Sequence, residues 1–190
     1  MKNLKFLFLT LLSSAVIVSC SDDDDNPPPP INEEEVITTL TLTLEPQGGG
    51  TAVVFTSRDL DGDGPDAPVI TVSGDLAANT FYDGTVIVLN ELETPAENIT
   101  IEVLEEDDEH QFFYVPSTGS NVIVSYDDSD DDGNPIGVET LFETGDASTG
   151  TLTVTLLHEP NKDAAGVSDG DPSNAGGETD VTATFDYTVL

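Results

Sequence analysis

The sequence predicts an all-β protein built as an antiparallel sandwich. Two observations predict it: apolar and polar residues alternate with a period of two over most of the chain from Val36 onward, and Gly, Pro, Asn and Asp separate the runs. The first run, Val36 to Leu44, sets Leu40, Leu42 and Leu44 on one face and threonines on the other, so one face is buried and the other is wet. Further runs span Thr51 to Ser57, Val69 to Ser73, Thr85 to Leu89, Gln111 to Val115, Asn121 to Tyr126, Glu139 to Thr144, Thr149 to His158 and Thr179 to Val189. About nine strands in residues 36–190 are expected to form a single domain, an immunoglobulin-like β-sandwich, with a jelly roll or barrel as the alternative. Thr94-Pro95-Ala96-Glu97 has the form of a capping box with proline in the first helical position, which favours a short crossover helix. Ile99, Ile101 and Val103 alternate as in a strand and compete with that reading.

Ahead of this domain, Lys2 and Lys5 precede an apolar run from Phe6 to Val18, and residues 1–19 read as a secretion signal. The run is well short of the roughly 20 residues that a bilayer-spanning helix needs. Cys20, the only cysteine, follows Ser19 and stands three positions after Ile17. These residues resemble the lipobox of bacterial lipoproteins, and the resemblance implies that Cys20 is lipidated after cleavage before it. Ser21 and Asp22 to Asp25 are similar to the export signal that sends lipoproteins of the Bacteroidetes to the outer face of the outer membrane. A lipid-anchored protein on the cell surface is therefore expected, with the membrane as its first partner. Several acyl chains, at about 0.8 kcal/mol per buried methylene, hold a membrane far more firmly than one. Pro27 to Pro30 favour an extended chain of about 3.1 Å per residue, so residues 20–35 read as an acidic, proline-rich tether.

The chain carries 38 acidic against four basic side chains, a formal charge of −34. A polyanion would repel it, which excludes ordinary nucleic-acid binding. Seven acids lie in the tether, which leaves 31 in residues 36–190 against Arg58 and Lys162. One cysteine allows no disulfide within the chain, so stability must come from elsewhere.

Two acidic loops carry the most specific chemistry. Asp59, Asp61 and Asp63 stand at positions 1, 3 and 5 of one, with Gly64 at 6; Asp128, Asp130 and Asp132 stand likewise in the other, with Gly133 at 6. That spacing folds three carboxylates around one hard cation, and the glycine permits the sharp turn. The second loop adds Asn134 at position 7 and Glu139 at 12, the full calcium-loop pattern, whereas the first must be closed from elsewhere, as by Asp66. Ca²⁺ is the expected ion. Both loops follow strand-like runs and so look like the calcium loops between strands of extracellular β-domains rather than EF-hands. Asp-Gly pairs also serve as plain hairpin turns, and acids on an acidic protein as solvated decoration. Asp169 and Asp171, in the long connection from Asn161 to Thr179, are a further candidate pair.

His110 and His158 are the only histidines, and each has a glutamate beside it. A transition-metal site can be drawn if the two meet in space. No motif surrounds any serine as an activated nucleophile, and the lack of Trp removes the usual sugar-stacking platform, so no enzyme is expected. Phe112, Phe113 and Tyr114 read as core residues.

The leader, Asp59 to Gly64, Glu109 to Tyr114, His158 to Lys162, Gly166 to Asp171 and Asn174 to Asp180 together are similar to a group of short, acidic flavobacterial lipoproteins labelled "type 1 periplasmic binding fold superfamily protein". The resemblance spans nearly the whole chain and implies a surface lipoprotein, with no activity attached. The two-domain α/β fold that the label names is nearly twice this length and does not match the strand pattern. Two roles are expected from these readings. One is a calcium-stabilised, non-catalytic binding or accessory module with a surface protein as partner. The other is a lipoprotein that captures a metal or small ligand for a TonB-dependent outer-membrane receptor.

Overall fold

The computed structural model describes residues 35–62 and 64–190, so the secretion signal, Cys20, the tether up to Glu34 and Asp63 lie outside the described residues. In chain order the elements are β1 (Thr39–Pro46), β2 (Val53–Arg58), β3 (Val69–Val72), β4 (Phe81–Asn90), β5 (Glu97–Asn98), helix α1 (Thr100–Glu105), β6 (His110–Pro116), β7 (Val122–Tyr126), β8 (Glu139–Thr144), β9 (Ser148–His158) and β10 (Glu178–Val189). A single 3-10 turn spans Pro172–Asn174. Among the described residues no helix is long and apolar enough to cross a membrane.

The strands form the two-layer antiparallel sandwich that the period-two pattern predicts. One sheet runs β3-β2-β1-β4-β8-β7, with β5 beside the end of β4; the other runs β10-β9-β6. Leu40, Leu42 and Leu44 of β1, Tyr82, Val86 and Val88 of β4, and Phe142 of β8 face Phe112, Tyr114, Val154, Leu156 and Phe185 of the smaller sheet. Edge-to-face contacts tie the layers together: Phe55 meets Phe185 with ring centroids 5.6 Å apart, and Tyr114 meets Phe142 at 5.8 Å. Both edges of the small sheet are covered, which removes the hazard of open pairing. Leu76 bridges Val189 of β10, and the Phe112 amide of β6 donates to the Ile136 carbonyl at 2.7 Å.

Strand β6 loses its alternation because both its faces are buried. Residues 110–114 are all inaccessible, since the connection from β9 to β10 folds back over the outer face of the small sheet. Val167 and Ala175 of that connection pack on Phe113 and Leu157. The side-chain amide of Gln111 donates to the Val167 carbonyl at 3.1 Å, and the Asn161 amide donates to the Ala175 carbonyl at 2.7 Å. The longest connection is thus packed structure. The predicted crossover helix is there, but it starts at Thr100: Glu97 and Asn98 extend the large sheet, and the Asn98 side chain accepts from the Thr100 amide at 3.2 Å. Thr100 and Val103 are the face of α1 that is buried, which sets its last turn over one end of the sandwich.

Candidate metal centre

His110 is the first residue of β6 and His158 the last of β9, and the antiparallel register puts them directly opposite. Both lie in the inward series, His110 with Phe112 and Tyr114, His158 with Val154 and Leu156. Their rings stack, with centroids 4.4 Å apart and planes 21° apart. His110 is fully buried and His158 is 4% exposed.

The third group comes from β10. Its register with β9 jumps between Thr179 and Val181, so Asp180 is the extra residue of a β-bulge. Bulges re-aim side chains beside functional sites, and here the Asp180 side chain is buried against both rings. One carboxylate oxygen stands 3.9 Å from His110 Nε2, the other 3.9 Å from His158 Nδ1. Glu109, half exposed, approaches His158 Nε2 at 3.7 Å.

Helix α1 fixes the tautomer of His110. Its Nδ1 lies 3.1 Å from the Glu106 carbonyl oxygen, which can only accept, so Nδ1 carries the proton and Nε2 presents a lone pair toward Asp180. A backbone carbonyl behind the ring in this way orients ligating histidines in metal proteins. The Nε2 atoms of both histidines are buried without a hydrogen-bond partner. Burial, reinforced by His158, lowers the His110 pKa against the pull of the Glu106 carbonyl, so the ring is held neutral, the form that binds metal.

Glu35, just ahead of β1, closes on the cluster. Burial, then Glu102, Asp180 and Glu106, push its carboxyl up to about 7, with His158 acting in the opposite sense. One ligand atom from each of His110, His158 and Asp180 lies within 4.8 Å of the others, as does one from each of Glu35, Glu106 and His110. Two imidazoles with carboxylates suit zinc and neighbouring first-row ions, whereas calcium and magnesium take oxygen sets. Bonds of about 2.0–2.1 Å to a tetrahedral ion put ligand atoms about 3.3 Å apart. The 3.9 Å gaps to Asp180 are therefore wide by about half an ångström, within reach of small side-chain rotations that also splay the stacked rings.

The acidic loops are arranged differently. Asp128 accepts from the amides of Gly137 at 2.7 Å and Glu139 at 2.8 Å, pinning a turn in which Gly137 has φ +87° and its absent side chain leaves room for the Phe112 carbonyl. Asp130 accepts from the Asn134 amide at 2.8 Å and the Asp132 amide at 3.1 Å, and its other oxygen meets Lys162 Nζ at 3.0 Å in a buried ion pair. Lys162 also donates to the Asp107 carbonyl. An ammonium therefore engages one of the carboxylates that the calcium pattern assigns to the ion. Asp132 and Glu139 are exposed, and Asn134 is half-buried. In the first loop, Asp59 accepts from the amides of Asp61 and Gly62, and Asp61 from that of Asp66, all on the surface. Asp171 caps the 3-10 turn through the Ser173 amide at 2.9 Å, and Asp169 is exposed. Among the described residues, no three ligands from these loops gather as those around His110 do.

Sequence reasoning named His110 and His158 but missed Asp180 and Glu35. The signal for Asp180 was the Thr179–Val189 run, whose alternation puts Asp180 with the outward Thr182 and Thr184 and so hides it among surface acids. No protein-family model, curated protein or solved structure matches this chain.

Proposed function

We propose that this chain is a non-catalytic binding module of the cell surface whose ligand is a divalent transition-metal ion of the zinc class, held by His110, His158 and Asp180. The observation that carries the reading is the convergence of two buried imidazoles and a buried carboxylate, with the lone pair of His110 Nε2 set by the Glu106 carbonyl. The sequence features at Cys20 and Asp22 to Asp25 support a lipid anchor on the outer membrane. An ion-capturing module held there would serve an outer-membrane receptor of the TonB-dependent type.

Zinc binding by the full chain, measured by competition with a chromogenic chelator, tests the reading. One equivalent is expected, with affinity reduced at least about tenfold in His110→Ala and in His158→Ala. Unchanged affinity in both variants, with their circular dichroism intact, would reduce the cluster to a buried polar contact.

A further inference from the structure

We infer that Glu35 is the fourth ligand of this centre, so that a bound ion fastens the segment leading into β1 onto the end of the sandwich. The inference rests on the transition-metal reading above and adds to it a ligand and a consequence. Three protein ligands leave a tetrahedral ion one position, and what fills that position decides whether the site is open to chemistry or closed. Three carboxylates outside the His110–His158–Asp180 set come near it, and Glu109 meets His158 at Nε2, the ring nitrogen other than the one facing Asp180. Glu106 is exposed and lines a groove with Glu102 and Ile101 rather than the cavity beside Asp180. Glu35 is half-buried, lies within ligand range of His110, and shares with Asp180 the wall of a cavity of about 440 Å³ that also touches Ser57, Asp59 and Thr182. That cavity reaches the cluster at Asp180, and Glu35 stands on the same wall.

Two further observations point the same way. His110 Nε2 is wholly buried without a hydrogen-bond partner, so the cluster has an unused donor atom aimed into it. Glu35 also shares its surroundings with Glu102, Glu106 and Asp180, a crowding of anions that a divalent cation relieves. The mechanical consequence comes from where the sheet begins. Among the described residues the first backbone hydrogen bond is that of Thr38, whose amide donates to Leu89 at 2.9 Å. Residues 35–37 precede it, held by the packing of Ile37 on the core, and an ion on Glu35 would add a second tie ahead of that contact. A site closed by a fourth protein ligand keeps its ion without leaving a position for substrate.

The experiment uses the full chain with zinc as the probe, and compares wild type with Glu35→Gln, Glu106→Gln and His110→Ala by chelator competition and by hydrogen exchange of residues 35–38. The expected result is that zinc slows exchange of this segment in wild type, and that Glu35→Gln loses the protection and at least about tenfold in affinity. Glu106→Gln is expected to retain both. Wild-type affinity and protection in Glu35→Gln, or a loss confined to Glu106→Gln, would overturn the role of Glu35 while zinc binding through the histidines stands. Binding that survives His110→Ala would instead remove the metal reading and this inference with it.

Discussion

Asp130 shows how one side chain can carry a motif and do something else. Its spacing to Asp128 and Asp132 marks a calcium loop, yet its partner is Lys162, 32 residues further along the chain and almost fully buried. That separation is why the pairing was illegible in the sequence, where Lys162 was only one of two cations in the domain. Removing one member of a buried ion pair strands the other, at a typical cost of about 3–5 kcal/mol. Lys162→Met is therefore expected to lower stability at pH 7 by about 3 kcal/mol in urea unfolding. The pH dependence follows from Asp130. Burial raises its pKa, but Lys162 and the amides of Asn134 and Asp132 outweigh burial and hold it below the ordinary value. A depressed carboxyl contributes stability that is present above its unfolded pKa and is lost as pH falls through the folded one. The gap between wild type and Lys162→Met should be full near neutrality and shrink on acidification. A gap that grows toward low pH would contradict the assignment.

At the scale of elements, the period-two pattern located strands but could not orient every side chain on them. The buried faces of β1 and β4 read correctly because the opposite face is wet, but the sequence pattern starts β4 at Thr85, since Gly84 interrupts the alternation, whereas the strand begins at Phe81. The helix was legible as a type and misplaced in position, since Glu97 and Asn98 were drawn into the sheet beside β4. The candidate site was half legible: the two histidines stood out by rarity, but their meeting depends on the β6–β9 register. Asp180 faces inward only because β10 carries a bulge. This gives a test on a single strand. Asp180 and Asp186 are both aspartates of β10, the first buried behind the bulge and the second exposed past it. Asp180→Asn is expected to weaken zinc binding at least about tenfold and Asp186→Asn to leave it unchanged. Equal effects of the two would mean that zinc responds to bulk negative charge rather than to the cluster.

For the whole molecule the question is how ions act on a domain with 31 acidic side chains and two basic ones. Arg58 is engaged at Glu91, 2.6 Å away, and Lys162 at Asp130, so neither is spare to offset the remaining acids. Exposed carboxylates then repel one another over a screening length of about 10 Å at 0.1 M salt and 3 Å at 1 M. Monovalent salt should accordingly raise the melting temperature gradually, and by the same amount in wild type and His110→Ala. Zinc should act differently, because stabilisation through a site saturates with occupancy. At about a hundred times its dissociation constant a ligand adds about 2.7 kcal/mol, which for a domain of this size is about 5–10 °C. That increment is expected in wild type after chelation and re-addition of zinc, and not in His110→Ala. Calcium decides between the loops and the histidines. With Asp130 already holding an ammonium and Asp128 two amides, calcium is expected to match magnesium at equal ionic strength. A calcium-specific rise that disappears in Asp128→Ala or Asp59→Ala would instead make the loop concerned an ion site, and in the Asp128 loop would require Lys162 to leave Asp130 when the ion enters.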